Sequence, residues 1–378
     1  MNSDKPLYVQ IQDYLKKLIM EETLKTNDKI PTEKELMEQF DVSRITVANA
    51  LSEMAKEGWI KRIPGRGSFV RERRTYQEND MAHMKDQDRN PEAPQFVALI
   101  IPSIEDFFAI HIVKGIEEAL KRTPYHLTIL LSENSKEKEQ AIIIQLIEKG
   151  VKGLIIFPAD AQTYNEEILA LKMSKFPFVL IDRRLPGVDT HFVSADSYLG
   201  AELAVNYLWE LGHRHIAICS DSPLPTLTVS ERISGYMEAL RQKGTVINPG
   251  LILTDFTVDY SRFDEESPLY PFLMNREATA IITLNARLGL YIKALATIMN
   301  LRVPEELSIL TFDDPIPMYD KIDGFTHINQ FEKEMGKRSM EVLLHVIENP
   351  QDYQGHYEKI VLEPELVVKH STASIRKE

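Results

Sequence analysis

The 378-residue chain has one cysteine, Cys219, and no run of 18 or more apolar residues. A lone thiol excludes an internal disulfide. The missing apolar run leaves no candidate transmembrane helix. Met1–Tyr14 has neither the basic start nor the apolar stretch of a secretory signal, so a cytoplasmic location is expected. No phosphate-loop or dinucleotide glycine fingerprint appears, and no nucleophile elbow. The histidines of His213-Arg214-His215 lack an accompanying cysteine or carboxylate cluster and read as a helix-to-strand loop, not a metal site. Neither a metal nor a cofactor is expected, and no catalytic residue is assigned.

Positive charge is scarce overall and unevenly placed. The net charge is −13, which excludes a wholesale polyanion binder. Residues 1–74 nevertheless carry 14 Lys+Arg against 12 Asp+Glu, a net of +2, leaving −15 for the rest. Within Ile60–Arg74, Lys61, Arg62, Arg66, Arg71, Arg73 and Arg74 face Glu72 alone. A basic stripe confined to one end fits local contact with a polyanion, or a solvated charged tail.

Pattern divides the chain into three zones. Residues 1–71 read as three helices and a hairpin. Residues 72–94 are polar, hold two prolines and show no periodicity, as a linker does. Residues 95–378 alternate short apolar runs with amphipathic stretches. The runs are FVALIIP (96–102), HLTILLS (126–132), GLIIFP (153–158), FPFVLID (176–182), HIAICS (215–220), LILTDF (251–256), AIITL (280–284) and LSILTFDD (307–314). Helical stretches lie at 110–122, 135–149, 163–174, 197–211, 231–243 and 286–299. Such alternation predicts an α/β body of parallel sheets covered on both faces, with any ligand at the carboxyl ends of the strands.

In the first zone, Pro6–Met20 places Val9, Ile11, Leu15, Leu18 and Ile19 at helical spacing. Thr32 can cap a second helix, with Glu35 completing a capping box. Ser43 caps a third after the tight Asp41-Val42 turn. Two short helices so joined make a helix-turn-helix, whose second helix reads bases with its first residues. Arg44 suits a guanine edge, and Ser43 and Thr46 can reach phosphate or base. Ser43 reads equally as a plain cap. Trp59–Val70 then reads as two strands around Pro64-Gly65-Arg66-Gly67. Its arginine tip can enter a minor groove, or the hairpin can simply face solvent.

The run IPTEKELMEQFDVSRITVANALSEMAKEGWIKRIPGRGSFV resembles the GntR-family winged helix over about 65 residues. The resemblance implies DNA contacts from Glu33, Arg44, Thr46, Arg62, Gly65, Arg66 and Gly67. Many members follow the Thr-Val pair with a basic residue. Here Ala48-Asn49 follows Thr46-Val47, and Asn49 is expected to read adenine instead.

In the body, polar and aromatic groups gather at strand ends: Phe107 and Phe108, Asp160, Asp182-Arg183, Arg232, Asn285 and Asp313-Asp314. Flat rings with planar, multiply bonding side chains suit a polyol. Each also has an ordinary structural reading, as a core ring or loop cap. VSADSYLGAELAVNYLWELGHRHIAICS, ERISGYMEAL, VPEELSILTFDD and FTHINQ resemble the LacI/GalR regulators and their periplasmic sugar-binding relatives. That resemblance implies two Rossmann-like subdomains of the type I periplasmic-binding-protein-like fold, joined by crossovers near 191–196, 322–328 and 350–358. It implies effector contacts from Asp160, Arg232, Asn285, Asp314 and Gln330; Phe107, Phe108 and Arg183 complete the candidate set. Members often carry Asp after the strand-end Asn, where this chain has Ala286.

A GntR-type head on a LacI-type body is similar to the arabinose-responsive repressors of Gram-positive bacteria. The resemblance implies a homodimer on double-stranded operator DNA, released by a sugar, with L-arabinose the lead effector. A hexose, a sugar phosphate or a nucleoside is the alternative ligand. A sugar-modifying enzyme with a DNA-binding head is the alternative class.

Overall fold

The computed structural model describes residues 7–20, 23–25, 27–40, 42–56, 59–63, 67–70, 94–159, 165–221, 226–315, 324–351 and 355–375. Gly65, Arg66, Asp160 and residues 72–93 of the expected linker lie outside these, as does the side chain of Arg62. The chain divides into two compact units, Met1–Asn79 and Asp80–Glu378.

In the first unit, α1 (Leu7–Met20), α2 (Glu33–Phe40) and α3 (Arg44–Lys56) precede a hairpin of β1 (Ile60–Ile63) and β2 (Gly67–Val70). The α2 start forms the expected capping box. Thr32 N donates to Glu35 Oε2 at 2.7 Å, and Glu35 N donates to Thr32 Oγ1 at 3.3 Å. Two orphan amides are satisfied this way. Helical spacing turns Ile11, Leu15, Leu36, Val47, Leu51 and Met54 inward, where Trp59, Ile60 and Val70 of the hairpin join them. Each large side chain so buried stabilises by roughly 1.5–3 kcal/mol. The hairpin pairs antiparallel, Ile60 opposite Val70 and Ile63 opposite Gly67. Lys29 bridges to Phe69, so the 27–30 segment lines its outer edge.

The second unit has two lobes. The first sheet is built from β3 (Gln95–Ile101), β4 (Tyr125–Leu131), β5 (Leu154–Ile156), β6 (Phe178–Ile181), β7 (Phe192–Ala195) and a late strand, β13 (Lys359–Leu362). The second holds β8 (Ile216–Cys219), β9 (Ile252–Leu253), β10 (Ala280–Thr283), β11 (Ser308–Phe312), β12 (Thr326–Asn329) and β14 (Glu365–Val367). Their orders match: β13-β7-β6-β5-β3-β4 and β14-β12-β11-β10-β8-β9. Every pair is parallel except β12 with β14. Strand periodicity feeds both faces: along β8, Ile216 and Ile218 enter one core, Ala217 and Cys219 the other.

Helices α4 (Phe107–Leu120), α5 (Lys136–Glu148) and α6 (Glu166–Met173) follow β3, β4 and β5. Helices α7 (Ser197–Glu210), α8 (Leu227–Gln242), α9 (Tyr270–Met274), α10 (Ala286–Ile298) and α11 (Glu332–Glu348) follow along the described residues of the body. Two of them change lobes. Helix α7 follows β7 but packs on α8 and β12; α11 follows β12 but packs on α4 and β6. Glycines allow the close approach. A Cβ at Gly115 of α4 would lie 1.9 Å from Lys333 O, and one at Gly336 of α11 would lie 2.2 Å from Ile112 O.

The chain therefore crosses between lobes at Asp196, at Gln330–Phe331 and at Glu363–Pro364. The first lies where expected. The second and third lie beyond 322–328 and 350–358, because β12 and β13 extend their sheets first. Neither strand reads as an apolar run: β12 is Thr-His-Ile-Asn, and β13 alternates exposed and half-buried residues.

Candidate functional site

On the head, Ser43 caps α3, its hydroxyl accepting from Thr46 N at 3.3 Å and lying 3.0 Å from Thr46 Oγ1. Arg44 is exposed, and its Nε donates to Glu33 Oε2 at 3.3 Å. Glu33, its partner, is the first residue of α2. Exposed pairs of this kind contribute about 0–1 kcal/mol, so the guanidinium is cheaply redirected. Asn49 is exposed one turn further along the same helix. Gly67 has φ +112°, and a Cβ there would meet Lys29 Cε at 2.8 Å.

In the body, the carboxyl ends of the strands carry a buried charged network. Arg232 of α8 is only 6% exposed. Its Nη1 donates to Leu284 O at 2.6 Å and its Nη2 to Gln330 Oε1 at 2.7 Å. The guanidinium lies 4.1 Å from the Phe312 ring centroid. Its Nε has no hydrogen-bond acceptor among the described residues. Gln330 in turn donates Nε2 to Asp313 Oδ1 at 2.8 Å. Burial pushes the Asp313 carboxyl well above its ordinary value, and the Glu332 carboxylate beside it adds to the push. Burial also favours the neutral form of Glu332, but His111, whose Nδ1 lies 3.7 Å from Oε2, and Asp313 together outweigh it and hold that carboxyl low. Of the two, Asp313 is the side chain whose neutral form its surroundings favour. Asp182, on the other lobe, is raised by burial, partly offset by Arg232 and Arg183.

A second cluster surrounds Asn285. Its Oδ1 caps α10 by accepting from Leu288 N at 2.8 Å, and its Nδ2 donates to Asp221 Oδ1 at 2.8 Å. The Tyr260 hydroxyl donates to the other oxygen of Asp221. Arg287 stacks on Tyr260, 3.9 Å from its centroid, and reaches Glu105 of the first lobe at 2.9 Å. Arg184 makes a matching bridge to Glu231 of α8 at 2.6 Å. Through these two pairs each lobe presents a cation and an anion to the other.

The structure brings Arg232, Gln330 and Arg183 into or beside the first network, through Asp182, and Asn285 into the second. Phe107 lies against His111, with centroids 6.3 Å apart, and Phe108 against Phe157 at 6.2 Å. Asp314 stands apart: its carboxylate takes Lys369 Nζ at 2.9 Å, while its neighbour Asp313 faces Gln330. His111, Asp221, Tyr260, Arg287 and Glu332 escaped the sequence reading. His111 is one helical turn from Phe107, a spacing that could have flagged it; Tyr260 lies in a polar stretch with no periodic signal. His213 is held by Thr279 Oγ1 at 2.9 Å and Ala373 O at 3.0 Å. Among the described residues no group of three His, Cys, Asp or Glu could hold a metal, and no helix is long and apolar enough to cross a membrane.

Residues 7–70 match the family model of bacterial regulatory proteins of the gntR family, and residues 205–372 match the periplasmic binding protein-like domain. The sequence is 29% identical, over 98% of both chains, to an arabinose metabolism transcriptional repressor of Halalkalibacterium halodurans. It is 30% identical to the HTH-type transcriptional regulator DegA of Bacillus subtilis, over 74% of this chain and 81% of the relative. Among solved structures, the transcription regulator CcpA of Lactococcus lactis superposes with a TM-score of 0.65 at 22% identity, covering 74% of this chain and all of that one. A LacI-family regulator of Enterococcus faecium with bound ribose gives 0.62 at 23% identity, over 75% of this chain and all of that one. The chain belongs to the bacterial HTH-type transcriptional regulators, as a gntR-family DNA-binding head carried on a periplasmic-binding-protein-like body.

Proposed function

We propose that this regulator is a cytoplasmic repressor, not an enzyme, that leaves its operator when a sugar enters the cleft of the body, and that the sugar is L-arabinose. The carrying observation is the buried fork of Arg232, set with Gln330, Asp313 and Asp182 at the strand ends of both lobes. Planar donors and acceptors of this kind match adjacent hydroxyls. Support for arabinose comes from the full-length similarity to arabinose metabolism repressors, which spans head and body alike.

The head reads DNA with Arg44, Ser43, Thr46 and Asn49 of α3, aided by Glu33, while Arg62, Gly65, Arg66 and Gly67 of the wing reach the backbone or minor groove. A homodimer presents two heads to a palindromic site. The sugar, held by Arg232, Asn285, Gln330, Arg183 and Asp160 with Phe107 and Phe108 as flat walls, fixes one relation of the lobes. Release follows if that relation belongs to the state with lower DNA affinity, since a ligand shifts only an equilibrium whose states it binds unequally.

Fluorescence anisotropy on the protein's own promoter fragment, with a panel of pentoses and hexoses, tests this. Release by L-arabinose alone supports the reading. Tight DNA binding that no sugar alters overturns the effector class and directs the search to sugar phosphates and nucleosides. Turnover of a sugar by the full chain would overturn the assignment as a non-enzyme.

A further inference from the structure

Glu139 lies on α5, an outer helix of the first lobe, yet it is only 1% exposed. An isolated buried carboxylate is costly, so its partners matter. Ala159 N donates to its Oε2 at 2.8 Å, and Asn165 Nδ2 donates to its Oε1. Asn165 also caps α6, accepting from Glu167 N at 3.0 Å. The peptide unit that Glu139 holds by its N–H is held from the other side by Arg183. Nη1 of Arg183 donates to Pro158 O and to Ala159 O, both at 3.1 Å. The same guanidinium rests 4.8 Å from the Phe157 centroid, with Nε 4.0 Å from Asp182 Oδ2.

We infer that Glu139 is a positioning residue for Arg183. It fixes the Pro158–Ala159 segment, whose two carbonyls hold the Arg183 guanidinium beside Asp182. The inference rests on the cleft being the effector site. Glu139 itself never touches the effector; it acts through two backbone carbonyls. Its charge is required because it must accept from two donors at once, which a glutamine cannot do.

The requirement gives a rescue. In Glu139→Gln, the new amide group faces either Asn165 Nδ2 or Ala159 N, donor against donor. Adding Asn165→Asp repairs this. The Gln amide then donates to the Asp carboxylate, its carbonyl oxygen keeps Ala159 N, and aspartate still caps α6. Asn165→Asp alone sets two carboxylates together.

The experiment is hydrogen–deuterium exchange on the ligand-free, full-length protein, paired with L-arabinose titration by calorimetry. Each single variant is expected to raise exchange in the peptides covering 157–159 and 181–185, and the double variant to restore both. L-Arabinose affinity should fall about tenfold in each single variant, as for one misdirected charge-assisted hydrogen bond, and return in the double. Faster exchange at 157–159 with 181–185 unchanged would overturn the inference, as would a double variant no better than either single. If the wild type binds no L-arabinose, the effector reading fails by itself, and the exchange data still decide whether Glu139 positions Arg183.

Discussion

Asp182 and Asp313 hold the same place in the two lobes. Each is the first residue past the fourth strand of its sheet in chain order, and each has left-handed backbone, with φ +62° and +65°. That conformation costs a non-glycine residue about 1–3 kcal/mol. The guanidinium of Arg232 lies in the field of both. One cation thus lies between two acidic side chains from opposite halves of the cleft.

Arg232→Ala should leave operator binding within about twofold of wild type while weakening L-arabinose binding roughly a hundredfold or more. Removing one partner from a buried charge cluster costs about 3–5 kcal/mol. Calorimetry and DNA anisotropy on the same preparation check both halves. Normal release of DNA by the sugar in this variant would remove Arg232 from the effector site.

Asp313 keeps its proton in the fold to a higher pH than in the unfolded chain, because burial and Glu332 both oppose its ionisation. Between the two pKa values the native state binds more protons, so stability declines as pH rises through that window. Below the ordinary value of 3.8 both states are protonated, and the penalty is absent. Asp313→Asn can still accept from Gln330 and can donate to Glu332. Its melting temperature should exceed that of the wild type at pH 8, with the gap closing as pH falls toward 4. A gap that widens on acidification would contradict the upward shift of Asp313.

Arg44→Ala should weaken operator binding about 5- to 150-fold, the worth of one good base contact at 1–3 kcal/mol. Stability should change little, since the Glu33 pair is exposed. Sugar affinity, read by calorimetry, should stay at the wild-type value. Equal loss of both activities would show that the two units do not divide the labour.

Gly115→Ala places a methyl group 1.9 Å from Lys333 O. Helices α4 and α11 must separate, at a cost of about 1–3 kcal/mol or more. Thermal unfolding followed through the body should shift down, while binding of the head to operator DNA at low temperature is retained. An unchanged melting curve would mean that the helices part freely.

Much of the body was legible because a buried parallel strand needs consecutive apolar residues. FVALIIP became β3 and AIITL became β10, each within a residue or two. Strands that bury polar atoms were not legible. Thr326 of β12 is fully buried, and its hydroxyl is satisfied by Thr372 Oγ1 and Lys369 N. Helix α11 was missed for a related reason. Its N-cap is Phe331, with φ +57° and no side-chain cap bond, so the usual start signal is absent. In the cleft, Arg232 could be placed from ERISGYMEAL. The choice between Asp313 and Asp314 could not, because neighbouring residues point apart and the left-handed turn decides which one faces Gln330. Asp221 and Tyr260 meet Asn285 only through loop paths that carry no period.

The exchange of α7 and α11 between lobes bears on how such a chain is made and recombined. The head is one uninterrupted stretch, and among the described residues its core ends at Val70. The first lobe, by contrast, waits for α11 and β13, which emerge after nearly all of the second lobe has been synthesised. On the ribosome, the head can fold early and alone, whereas both lobes are completed almost together at the end. A gene break between head and body would leave each described core whole, whereas a break between the lobes would part α11 and β13 from the first lobe they complete. Recombination can therefore trade heads as cassettes while the body passes on whole, and a winged helix of one lineage can come to ride on the sensor of another.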